Sequence, residues 1–217
     1  MYIVSGVSEN RPATHEELLD LRRWRISTFW VCLLGYIGYY ICRVNLPAAF
    51  PLMSASFGYS NAELGMIAAV SEGAYALGKF INGPIADKLG GKKIFLIGLA
   101  GAVFFNALFA LSSTLFWFTA VWCFCRYFLS MGWGGLAKMI GNWYPPEKNG
   151  TIMGIISINF QFGRVVATLF AGYLFSIGVG WQGIFLYPAA IGPVRNGAAS
   201  QPRVIDKSTA RTRFLMM

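Results

Sequence analysis

Residues 94–125 run without a single Asp, Glu, Lys or Arg. A helix needs about 20 apolar residues to cross the roughly 30 Å of bilayer hydrocarbon, where only helices and closed barrels satisfy their own backbone. Five segments meet that requirement: 26–50, 63–85, 94–112, 115–140 and 152–177. The second is the weakest, because it carries Glu72, Lys79 and several glycines. A sixth apolar segment starts near Gly183 and stops at Gly192, ahead of Pro193, Arg195 and Asn196. About ten residues of helix reach only about 15 Å. Charged residues make up 12% of the chain, against about 25% in soluble domains. These features predict an all-α polytopic membrane protein.

The net charge of +9 would suggest nucleic acid on a soluble protein. Its distribution argues otherwise, since no continuous basic face exists to follow a phosphate backbone, and no nucleic-acid partner is expected. Arg11, Arg22, Arg23 and Arg25 precede the first span, Lys88, Lys92 and Lys93 follow the second, and Lys148 follows the fourth. The opposite loops, 51–62, 113–114 and 178–182, hold no Lys or Arg. Cytoplasmic loops concentrate these residues, so the N-terminus is expected in the cytoplasm, with the chain in the cell (inner) membrane. The implied plan is a cytoplasmic segment (1–25), a transmembrane bundle (26–192) and a polar basic tail (193–217). The tail shows neither a span nor an apolar stripe. One reading is a cytoplasmic tail; the favoured one is a segment foreign to the fold, a sixth span cut and replaced, for example by a frameshift.

Enzyme chemistry has little raw material. Cys32, Cys42, Cys123 and Cys125 all lie in apolar runs, and the only histidine, His15, precedes the first span. Neither a metal site nor a disulfide framework follows, and neither a cofactor nor a catalytic residue is expected.

Cations inside the spans are the informative residues. A charge at the centre of a membrane helix costs about 2.5–3.5 kcal/mol on insertion scales, so it is rarely kept without a role. Tyr36, Tyr40 and Arg43 are spaced i, i+4, i+7 and share a face of the first span, as Tyr75 and Lys79 do on the second. Arg supplies a planar fork for phosphate oxygens, Lys a compact charge and Tyr a hydroxyl on a rigid ring. Arg43 lies about 7 Å outside the midpoint of its span and Lys79 about 7 Å inside that of its own. Their long side chains can converge, although backbone level alone does not bring them together. The alternative is structural, with Arg43 or Lys79 paired to Glu72. Arg126, Lys138 and Arg164 can face the cavity or cap helix ends, and Lys138 reads as a cation reaching for the membrane surface.

Three motifs lie in one order. Between spans two and three runs Gly83-Pro84-Ile85-Ala86-Asp87-Lys88-Leu89-Gly90-Gly91-Lys92-Lys93, where a tight turn uses glycine freedom and Asp87 can meet a cation or a helix dipole. Span four holds Cys125-Arg126 and then Gly132-Trp133-Gly134-Gly135. After it comes Trp143-Tyr144-Pro145-Pro146-Glu147-Lys148-Asn149-Gly150. Together they resemble the signature loop, the fourth helix and the following cytoplasmic turn of the major facilitator superfamily. Within it, Gly35–Asn45, Tyr75-Ala76-Leu77-Gly78-Lys79-Phe80 and Met131-Gly132-Trp133 resemble the organophosphate:phosphate antiporters.

That resemblance implies one-for-one exchange of an organic phosphate, such as glycerol-3-phosphate or a sugar phosphate, for inorganic phosphate by alternating access. The implied anion site lies between two six-helix halves built of inverted repeats. This chain corresponds to the N-terminal half with its sixth span cut short, and the C-terminal half or a partner chain is needed for function. Arg43, Lys79, Tyr36, Tyr40, Tyr75 and Asn159 are the expected substrate contacts, with Gln161 a polar neighbour. Gly83, Asp87, Gly90, Lys92 and Arg126 are expected to gate or pack. Two positions depart from the family. Phe160 stands where the glycerol-3-phosphate branch has a cavity histidine, and Glu72 opposes a phosphate unless it is paired or protonated. A proton-coupled carrier for another organic anion and a transporter-like sensor of sugar phosphates remain alternatives.

Overall fold

Apolar periodicity and punctuation by Gly and Ser turn the chain into a helical bundle. The computed structural model describes residues 15–144 and 146–191, without some side chains inside those ranges. Helix α1 spans His15–Phe57, α2 Asn61–Leu89, α3 Gly91–Ala110, α4 Leu115–Leu129, α5 Met131–Trp143, α6 Pro146–Ser176 and α7 Trp181–Ile191. No strand occurs among the described residues. Five helical stretches are long and apolar enough to cross a bilayer: Arg25–Phe57, Asn61–Leu89, Gly91–Ala110, Leu115–Asn142 and Glu147–Ser176. The tail 193–217 and residues 1–14 of the polar N-terminal segment lie outside the described residues.

Two boundaries differ from the sequence reading for physical reasons. The first helix continues past residue 50 to Phe57 despite Pro47 and Pro51, since proline in a membrane helix is tolerated where neighbours absorb the lost hydrogen bonds. The fourth span is two helices, α4 and α5, joined at Ser130. The Ser130 hydroxyl donates to the Tyr127 carbonyl at 2.7 Å, a back-bond of the kind that competes with the helical ladder. Ser130 keeps helical dihedrals, φ −66° and ψ −21°, so the two pieces serve as one crossing.

The joints are local chemistry. Ser60 and Glu63 form a reciprocal capping box at the start of α2, satisfying two donors that a helix N-terminus leaves open. Between α2 and α3 stands the single residue Gly90 at φ 84°, a conformation costly for any residue with a Cβ.

Packing uses small residues where helices touch. Helix α1 lies along α6, α2 along α4, and α3 is held by α4, α5 and α7. Fully buried Leu46, Met53, Phe109, Phe118, Ile156 and Phe185 fill the interior. One buried polar knot ties three helices: Asn106 of α3 accepts from Asn45 Nδ2 at 2.8 Å and donates to the Cys42 carbonyl at 3.2 Å and Cys125 Sγ at 3.2 Å. Such bonds between membrane helices average about 0.6 kcal/mol.

Backbone contact is closest where α3 meets α5. A Cβ on Gly91 would sit 2.6 Å from the Gly135 carbonyl oxygen and 2.8 Å from the Met139 amide nitrogen. Both neighbours are backbone, so the helices would have to part. Gly91→Ala is therefore expected to destabilise by about 1–3 kcal/mol, the usual cost of overpacking, and to lower the thermal unfolding midpoint in detergent. Gly65→Ala, at a position with nothing within 4 Å, leaves that midpoint unchanged or raises it.

Candidate functional site

Helix α2 carries Glu72, Tyr75 and Lys79 along one stripe, because residues three and four apart stack on a helix face. Across from that stripe, α1 brings Arg43 and α4 brings Arg126. All three cations meet the ring of Tyr75: the Arg43 guanidinium stands 4.9 Å from its centroid, Lys79 Nζ 4.8 Å and the Arg126 guanidinium 5.0 Å. Arg43 Nη1 also donates to the Tyr75 hydroxyl at a long 3.4 Å. Each contact lies within the roughly 6 Å over which a ring quadrupole attracts a cation.

One carboxylate faces these three cations. Glu72 pairs with Arg126, so the acid is paired, and with the cation of α4 rather than with Arg43 or Lys79. The Arg126 side chain is 4% exposed and that of Glu72 56%. The cation is therefore the interior member and the carboxylate closes its open end. Arg126 Nε, moreover, has no hydrogen-bond partner. Among the described residues neither Arg43 nor Lys79 meets a carboxylate. The cluster holds an excess of positive charge, half-buried at Arg43 and exposed at Lys79.

Beside it lies a pocket lined by Tyr36, Tyr39, Tyr40, Arg43, Tyr75 and Leu129. Tyr36 and Tyr40 are buried at 6% and 7% exposure, with ring centroids 5.5 Å apart. Tyr36 also packs on Trp133 and Phe160 at 6.0 and 5.7 Å. Phe160, where the resemblance to the glycerol-3-phosphate branch implied a histidine, is thus part of an aromatic wall with Trp133, 4.6 Å away. Helix α6 carries Asn159, whose side chain lies outside those described; Gln161 and Arg164 of that helix are exposed. Sequence reasoning passed over Tyr39, whose hydroxyl donates to the Phe95 carbonyl at 2.6 Å. Only its place within Tyr39-Tyr40 could have flagged it.

The loop between α2 and α3 forms a second, peripheral group. Asp87 Oδ1 accepts from Lys138 Nζ at 2.5 Å, so Lys138 ties α5 to the exposed end of α2. Lys92 is exposed, and nothing lies within 4 Å of a Cβ built on Gly83. Among the described residues no three His, Cys, Asp or Glu side chains gather to hold a metal.

Membrane-crossing helices with a cationic cluster between them define a multi-pass membrane protein with a site suited to an anion. Residues 32–194 match the Major Facilitator Superfamily, and the chain belongs to that superfamily. It is 28% identical over 168 residues to a probable hexose phosphate transport protein of Chlamydia pneumoniae, covering 77% of this chain and 37% of the relative. With the glycerol-3-phosphate transporter of Bacillus subtilis it shares 28% over 195 residues, 83% of this chain and 43% of the relative. A third relative, the membrane sensor protein UhpC of Escherichia coli, is 29% identical over 131 residues, 59% of this chain and 29% of the relative. The chain thus aligns with less than half the length of these proteins.

The shared ring gives a stability test. Cation–π contacts are worth about 0.5–1 kcal/mol when exposed and about 2 kcal/mol when desolvated. Tyr75→Leu removes the ring from under three cations, whereas Tyr75→Phe removes only the long bond to Arg43. The thermal midpoint in detergent is expected to fall clearly in Tyr75→Leu and by less than half as much in Tyr75→Phe.

Proposed function

We propose that this chain forms one half of a carrier that exchanges an organic phosphate for inorganic phosphate by alternating access. The observation that carries the reading is the convergence of Arg43, Lys79 and Arg126 on Tyr75 with one carboxylate among them. A cluster of that charge inside a membrane bundle is costly when empty and is stabilised by an anion. Glycerol-3-phosphate and sugar phosphates fit its chemistry, and the names of the relatives agree with it.

In this reading Arg43 presents its fork to the phosphate oxygens, Lys79 adds charge, and Tyr36, Tyr40, Tyr75 and Asn159 supply hydroxyl and amide contacts. Gly83, Asp87, Gly90, Lys92 and Arg126 hold or gate the helices. The N-terminus faces the cytoplasm, the bundle of 26–192 sits in the inner membrane, and a second half or partner chain completes the site. The protein is a carrier and not an enzyme. A second reading has one observation in its favour, the similarity to a membrane sensor: the same site reports a sugar phosphate to a partner instead of moving it. Binding without flux distinguishes sensing from carriage.

Reconstitution tests the reading. In proteoliposomes holding the complete two-half carrier, Arg43→Ala is expected to cut phosphate counterflow at least about a hundredfold, the loss of about 3 kcal/mol expected for a buried charge-assisted contact. The protein should still insert normally. Arg43→Lys is expected to fail almost as badly, since Lys has no bidentate fork. Normal counterflow in either variant contradicts the assignment. Vesicles holding this chain alone are expected to take up no labelled glycerol-3-phosphate.

A further inference from the structure

We propose that Glu72 sets the charge of the anion that the site accepts. By neutralising Arg126, it tunes the cluster to a phosphate dianion and against ligands carrying a further negative charge. The inference rests on the phosphate-ester reading above and names a specificity determinant within that same site.

The geometry separates two kinds of cation. Arg126 is buried and already paired with Glu72. Arg43 and Lys79 are the accessible ones, and both lie on the ring of Tyr75. Three cations against one carboxylate leave two positive charges, the match for a phosphate monoester above its second pKa of about 6. Glu72 is one helical turn from Tyr75 and stands at the open end of the pair, with 56% of its side chain exposed against 4% for Arg126. An approaching anion therefore meets the Glu72 carboxylate before the guanidinium behind it. A third negative charge on the ligand would find no further unpaired cation on the Tyr75 ring and would face that carboxylate. Whatever charges the completing half adds are common to wild type and variant, so the shift on changing Glu72 reports on Glu72.

The competing account is that Glu72 serves only to let Arg126 be buried. Substituting both partners separates the two, because a neutral pair removes the ion pair while leaving the charge of the cluster as it was. The experiment is competitive uptake, at pH 8, into cells that lack their own organophosphate carriers and express the complete carrier. The substrates are labelled glycerol-3-phosphate, a dianion, and 3-phosphoglycerate, which adds a carboxylate.

Glu72→Gln is expected to raise the ratio of 3-phosphoglycerate to glycerol-3-phosphate uptake by at least about tenfold, the scale of one unit charge at about 12 Å and an effective dielectric of about 20. The double variant Glu72→Gln with Arg126→Gln is expected to return the ratio close to wild type. Arg126→Gln alone is expected to lower it, and that variant decides the matter if Glu72→Gln fails to insert. An unchanged ratio in the single variants, with both uptakes falling together, overturns the inference and leaves a structural ion pair. A wild-type carrier that takes up neither ester overturns the proposed function itself, a result distinct from an active carrier with an unaltered ratio.

Discussion

The organising interaction is the ring of Tyr75, around which three cations from three helices meet. Each cation is expensive in hydrocarbon, and like charges a few ångströms apart repel. The arrangement persists because one aromatic ring attracts all three and because Glu72 takes up the charge of the most buried one. The residual positive charge gives the bundle its chemical character.

That interaction depends on how close α4 comes to α2. At Gly78 the absent side chain lets Ser130 approach, since a Cβ there would lie 3.1 Å from Ser130 Cβ. Asn82, one turn further along α2, donates to Ser130 Oγ at 2.7 Å. Ser130 is one turn beyond Arg126 on the fourth crossing, at the junction of α4 and α5. Its close approach to Gly78 and Asn82 therefore carries Arg126 within reach of Glu72. Close contacts between small residues replace the hydrophobic drive that lipid removes.

Much of this was legible in the sequence. The five crossings and the shared faces of Tyr36–Arg43 and Tyr75–Lys79 follow from spacing, and the loop with Asp87 and Gly90 from its resemblance to a family signature. Spacing cannot say which charged residues meet across helices. Glu72 and Lys79 lie on one stripe of α2, which suggested an alliance with Lys79 or Arg43, yet the acid pairs with Arg126 because the Gly78–Ser130 contact sets the crossing. The break at Ser130 was hidden for a related reason: a serine in an apolar run reads as helix until its hydroxyl bonds the preceding turn. Tyr39 was passed over because its hydroxyl answers a carbonyl of α3, a tertiary contact without a local signature.

In the proposed carrier the Tyr75 cluster recognises the negative head of its ligand. Equilibrium binding of labelled glycerol-3-phosphate to the complete carrier, with unlabelled glycerol and inorganic phosphate as competitors over a range of salt concentrations, tests this. Inorganic phosphate is expected to displace the label, glycerol to leave it bound, and affinity to weaken as salt rises. Displacement by glycerol with no effect of phosphate or salt would rule out recognition through charge.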